Sequence, residues 1–234
     1  MKRNYEPENA VKTSGRINLE SMYSTIRDRI CLMGYPPGTV LKEADLAEEF
    51  KISRTPVRQI LQRLQSDGLV ISKHGFGTIV TDANLDELQD DYEFRIQFIA
   101  MFGKMAKAKC KNRQIAEMTE ILSSLEDLLH SRGILEFWSL SHRQHKLLRG
   151  VIRNETYKVI WDLLYYKTSR IWYRNIHSMW YEEMHNMIDE TKEIIEAMRK
   201  NDMNAIGMIK KKHTEKTLQR IETYFSELAL VQAR

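Results

Sequence analysis

Apolar positions along the chain follow two regimes: short helical stripes broken by turn residues over residues 18–82, and long stripes with few breaks beyond residue 85. Asn18 reads as an N-cap, and Leu19, Met22, Ile26 and Ile30 follow at helical spacing as far as Gly34 and the Pro36-Pro37-Gly38 turn. Leu46, Ala47 and Phe50 repeat the pattern over 42–50. Ser53 then supplies a capping-type residue, Pro56 falls in the first turn, and Val57, Ile60, Leu61 and Leu64 form a stripe that ends at Asp67-Gly68. Two β-prone runs, 69–72 and 78–81, flank His74-Gly75-Phe76-Gly77. Three helices followed by a hairpin predict a winged helix-turn-helix.

The rest of the chain reads differently. All four prolines and six of the ten glycines precede residue 78, whereas Trp138, Trp161, Trp172 and Trp180 follow it. A stretch without proline from residue 57 onward suits long helices, because proline removes a helical donor and clashes with the preceding turn. The predicted fold class is mainly α: an N-terminal winged helix-turn-helix (three helices plus a β-hairpin wing), then an all-α antiparallel helical bundle. The predicted boundaries are a flexible polar arm at 1–17, the winged domain at 18–82, a linker at 83–85 and the bundle at 86–230.

Net charge adds little, since the formal +4 is divided evenly between the two parts. Local charge matters more. Lys51, Arg54, Arg58, Arg63 and Lys73 face a single acidic residue, Asp67, over 51–75, which predicts a positive face on the small domain. Cys31 and Cys110 stand alone without CxxC spacing, so neither a disulfide framework nor a cysteine zinc site is expected. No apolar run approaches a membrane span and no signal-peptide core is evident, so a cytoplasmic protein without a membrane partner is expected.

The start of the third helix suits DNA. A helix N-terminus offers unpaired amides and a positive dipole end to phosphate, and Ser53, Arg54 and Thr55 add side-chain donors there. One turn on, Arg58 can enter the major groove, where its planar fork matches the two acceptors of guanine; a contact to phosphate is the other option. In the wing, Gly75 lets the backbone approach the duplex, with Lys73 and His74 as contacts in the minor groove or to phosphate.

The segment 35–80, and above all Ser53-Arg54-Thr55-Pro56-Val57-Arg58 with the exit Leu64, Asp67-Gly68-Leu69-Val70, resembles the DNA-binding domain of the GntR superfamily of transcription regulators. That resemblance implies DNA contacts by Ser53, Arg54, Thr55 and Arg58 and by the wing tip at His74-Gly75. Some members have a further basic contact near the start of the second helix, where this chain has Ala44. The remainder resembles the FadR-type effector domain called FCD, a bundle of six or seven helices, through Arg95, His145 with Asn154, Ala197, Asp202 and His213.

Many FCD domains hold a metal through one Asp and three His. The matching positions here are Ser141, His145, Thr191 and His213, with Glu190 matching the residue before one absent His. Only His145 and His213 are retained as family ligand positions, and His142 is the nearest further donor, so no metal cofactor is expected. These positions also interrupt apolar stripes: His213 among Ile206, Ile209 and Ile221, Thr191 among Met184, Met187, Ile188, Ile194 and Met198, and Ser141 with His145 beside Leu148 and Val151. Inward polar groups on several helices predict a cavity filled by water, an ion or a ligand. A small organic acid is the expected effector, with Arg95, and Arg170 or Arg174, pairing with its carboxylate, and with Tyr166 among the aromatic residues of the helix over 157–177 lining the cavity.

The resulting expectation is a homodimeric regulator, in the repressor role commoner among GntR proteins, that binds a near-palindromic operator and responds to the effector. Two alternatives remain at this point: a nonspecific architectural DNA binder, and an enzyme using the histidine-lined cavity. The sequence has no nucleophile elbow, HExxH helix or phosphate loop, which argues against the enzyme.

Overall fold

The computed structural model describes residues 18–82, 85–106 and 109–232. The expected arm at 1–17 and residues 83–84 of the expected linker lie outside them. The chain divides into two units, one formed by Met1–Leu88 with Tyr166–Arg174 and the other by Gln89–Tyr165 with Asn175–Arg234.

The first unit contains α1 (Leu19–Cys31), β1 (Val40–Leu41), α2 (Glu43–Glu49), α3 (Arg54–Ser66), β2 (Val70–Lys73) and β3 (Gly77–Val80). Asn18 caps α1, its side chain accepting from the Glu20 amide at 3.0 Å. The expected stripes build the core: Ile26, Val57, Leu64 and Val70 are fully buried, and Tyr23, from the opposite end of the unit's sequence, donates to Asp67 at 2.5 Å. The hairpin strands each lie one residue from the sequence estimate, pairing Val70 with Val80 and Lys73 with Gly77. A third strand, β1, was not foreseen. It is two residues long, so it has no alternation to read, and it joins the sheet through Val40 opposite Ile79, giving the order β1-β3-β2.

Residues 166–174 complete this unit. The Arg27 guanidinium lies 3.6 Å from the Tyr166 ring centroid and bonds Asp28 at 2.8 Å, so a buried cation has both an aromatic face and a carboxylate. Arg170 donates to Thr81 Oγ1 at 2.9 Å and to its carbonyl at 3.3 Å.

The second unit is helical. It holds most of α4 (Leu85–Ala100), α5 (Phe102–Met105), α6 (Asn112–Leu128), α7 (Ile134–Arg149), the first part of α8 (Glu155–Asn175), α9 (Trp180–Arg199) and α10 (Met203–Gln232), with a 3-10 turn at Ile176–Ser178. α9 packs against both α6 and α10, α6 also against α7, and α10 also against α5. At the last crossing a Cβ on Gly103 would fall 2.6 Å from the Asn204 Cα, so the contact requires glycine. Among the described residues no helix is long and apolar enough to cross a membrane.

Candidate DNA-reading face and effector site

α3 buries Val57, Ile60, Leu61 and Leu64 and leaves Ser53, Arg54, Thr55 and Arg58 exposed. Ser53 occupies the N-cap position in extended conformation, yet its hydroxyl makes no capping bond, contrary to the role its residue type predicts. That hydroxyl and the first amides of α3 therefore face solvent together, which is what phosphate binding uses. The tight turn from α2 is made by Lys51, held at φ 54° in the left-handed region.

Arg58 is not a free cation. Its Nε and Nη2 donate to the two carboxylate oxygens of Glu43, each at 2.9 Å. The Arg58 hydrogen bonds hold the Glu43 carboxyl below its usual range. This side-on pair occupies one edge of the guanidinium and leaves the end-on edge, Nη1 with the outer hydrogen of Nη2, available for the two acceptors of guanine. Glu43 thus fixes the orientation of the exposed Arg58 guanidinium. Arg63 is committed elsewhere, its guanidinium paired with Glu20 and lying 3.8 Å from the Tyr23 ring centroid.

The wing tip is the turn Lys73-His74-Gly75-Phe76, closed by a bond from the Phe76 amide to the Lys73 carbonyl at 3.0 Å. Gly75 has φ 79° at the third position, the type II pattern that favours glycine. Lys73, His74 and Gly75 are exposed, and the Lys73 ammonium lies 5.1 Å from the ring centroid of Phe76, itself exposed.

Inside the second unit a polar network joins several helices. His145 stacks on Tyr165 at 4.0 Å between centroids, and its Nε2 lies 2.8 Å from Asp162, which also takes Arg149 at 2.6 Å. Burial pushes the His145 pKa down to about 4, with the Asp162 bond opposing and the charges of Arg95 and Lys210 adding, so the ring is neutral at pH 7. Ser141 lies 3.2 Å from the Tyr165 hydroxyl, and the Arg95 guanidinium lies 5.8 Å from the same ring. Gln144 donates to Thr191 at 2.9 Å, and Thr191 donates to the Met187 carbonyl at 2.6 Å. Lys210 completes the network with Glu190 at 3.1 Å and the Gln144 carbonyl at 3.4 Å.

The four positions matching metal ligands do not present themselves as one donor set. His213 directs Nδ1 to Asn186 at 2.7 Å and Nε2 to Glu193 at 3.4 Å, while His145 Nε2 is on Asp162. Among the described residues no group of three or more His, Cys, Asp or Glu is arranged to hold a metal ion. Tyr166 and Arg170, expected in the cavity, lie instead in the first unit, against Arg27 and Thr81. Periodicity along α8 places them inward but does not say which neighbour they meet.

Comparison with known proteins gives the same picture. The model of the bacterial regulatory proteins of the gntR family matches residues 19–80. An HTH-type transcriptional regulator from the TAR-I ttuE-ttuC' intergenic region of Agrobacterium vitis is 33% identical over 142 residues, covering 59% of this chain and 82% of that protein. The chain belongs to the gntR family. The HTH-type regulator Rv0494 of Mycobacterium tuberculosis is 45% identical over 64 residues, 27% of this chain and 26% of that protein. In structure, E. coli McbR/YncC superposes with a TM-score of 0.73 at 15% identity, covering 90% of this chain and all of that one, a likeness of fold.

As a gntR-family protein the chain is a DNA-binding transcription regulator. Several residues of both sites escape a reading of sequence alone. Glu43 lies 15 positions from Arg58 and gives no local signal; Gln144 lies one turn after Ser141, and Lys210 one turn before His213. For Gln144 and Lys210 the available signal is a polar residue one helical turn from an inward polar residue, Ser141 and His213 respectively.

Proposed function

We propose that this gntR-family regulator is an effector-responsive repressor that binds a near-palindromic operator as a homodimer. Ser53, Arg54 and Thr55 hold phosphate, Arg58 reads a base, and Lys73, His74 and Gly75 of the wing contact the adjacent backbone or minor groove. A small organic acid enters the FCD-like bundle beside Arg95, Ser141, His145 and Thr191, and it shifts the population between operator-binding and non-binding conformations. The observation that carries the effector reading is the bundle interior itself: polar side chains from α4, α7, α8, α9 and α10 gathered around buried Gln144, His145 and Thr191. A core selected for stability alone has little use for so many buried polar groups.

Native mass spectrometry with operator DNA, followed by fluorescence anisotropy with and without small carboxylates, tests this reading. The expected result is two chains per operator and an operator affinity reduced about 5–150-fold by an active acid. One chain per operator, or an affinity indifferent to every acid tried, contradicts it.

A further inference from the structure

Lys210 presents a buried ammonium on α10 whose side chain is only 13% exposed. An ammonium carries three N–H donors. The protein supplies two acceptors among the described residues, Glu190 Oε2 at 3.1 Å and Gln144 Oε1 at the long distance of 3.4 Å. The cradle is fixed on its far side, because Gln144 also donates to Thr191, which is tied to the Met187 carbonyl. Three helices, α7, α9 and α10, therefore hold one positive charge in place, with more donor capacity than these two contacts use.

The surroundings suit an anion. The charge of Glu190 acts on Lys210 and on Arg95 alike, and both cations act on His145, which burial keeps neutral. An incoming carboxylate thus meets two cations, while the one N–H of the neutral His145 ring is already given to Asp162. Glu190 is the internal competitor for the ammonium.

We propose that the Lys210 ammonium is the fixed cation that anchors an effector carboxylate inside the bundle, so that the effector binds without a metal ion. This rests on the effector-responsive reading above and adds the anchoring residue and the ligand class, a small mono- or dicarboxylate. Because His145 and His213 spend the ring nitrogens described above on Asp162, Asn186 and Glu193, the lysine is better placed than either histidine to donate to a carboxylate.

The test uses the full chain in EDTA, with acetate, pyruvate, succinate and citrate as probes and acetamide and succinamide as uncharged controls, read by thermal shift and titration. At least one acid is expected to raise Tm where the amides do not. Lys210→Met combined with Glu190→Gln, which avoids stranding a buried carboxylate, is expected to weaken that acid by roughly tenfold or more, the size of a charge-assisted hydrogen bond. Glu190→Gln alone is expected to tighten it, since the competitor is gone; this variant keeps the proposal testable if the double variant does not fold. Binding that survives the double substitution, weakens in Glu190→Gln, or vanishes in EDTA overturns the lysine anchor while leaving the regulator reading intact. No shift with any of the four acids overturns the carboxylate site. Binding through Lys210 with unchanged operator affinity would instead overturn the effector-responsive reading.

Discussion

The two units use polar residues in opposite ways. In the winged unit the polar residues of α3 and the wing stand outside an apolar core, with Arg27 and Asp28 as a buried pair beside it, and the candidate reading face is what α3 and the wing leave uncovered. In the helical unit they are drawn inside, where each must find a partner on another helix. Chemistry at the surface can change one residue at a time, whereas an interior network such as Lys210, Glu190, Gln144 and Thr191 works as a set.

The contrast is broken most severely in the core of the winged unit. Leu64→Ala removes a fully buried side chain and should cost about 2–5 kcal/mol of that unit's stability by denaturant unfolding, abolishing operator binding at elevated temperature. Next comes acid. The folded His145 pKa of about 4 lies below the ordinary histidine value of about 6.5, so the unfolded chain binds more protons between the two. The helical unit should therefore hold its full histidine contribution above about pH 6.5 and lose on the order of 2–3 kcal/mol as pH falls toward 4. Asp162 and His213, both depressed, act in the same direction, so His145→Phe should flatten the pH dependence of the unfolding midpoint without removing it. Gly103→Ala should cost about 1–3 kcal/mol in the helical unit through overpacking against Asn204, visible as a lowered midpoint for that unit. The smallest effect sharpens the surface side: Glu43→Gln removes the buttress of an exposed arginine, and operator affinity measured by anisotropy should change by no more than about 1 kcal/mol while its base preference loosens.

Legibility followed the range of the interactions. The α1 cap at Asn18, the stripe of α3 and the wing were readable because each depends on residues a few positions apart. The Arg58 pair with Glu43 and the Arg63 pair with Glu20 span 15 and 43 positions, and so the cluster of five cations read from sequence includes two that are tied down. The interior network is more distant still, with 66 positions between Gln144 and Lys210 and 47 between Gln144 and Thr191. Helical periodicity showed that Thr191, His145 and His213 turn inward. Which partner each would meet depends on helix packing, and the same limit hides from periodicity that Tyr166 meets Arg27 and Arg170 meets Thr81 in the first unit.

Selection of bound sequences from a random DNA library by the wild-type chain and by Arg58→Ala tests the central claim most directly. Enrichment of a near-palindrome with a guanine in each half-site is expected, with loss of that guanine preference, about 1–3 kcal/mol, in the variant. Enrichment of no sequence by the wild-type chain, or an unchanged guanine preference in Arg58→Ala, would contradict it.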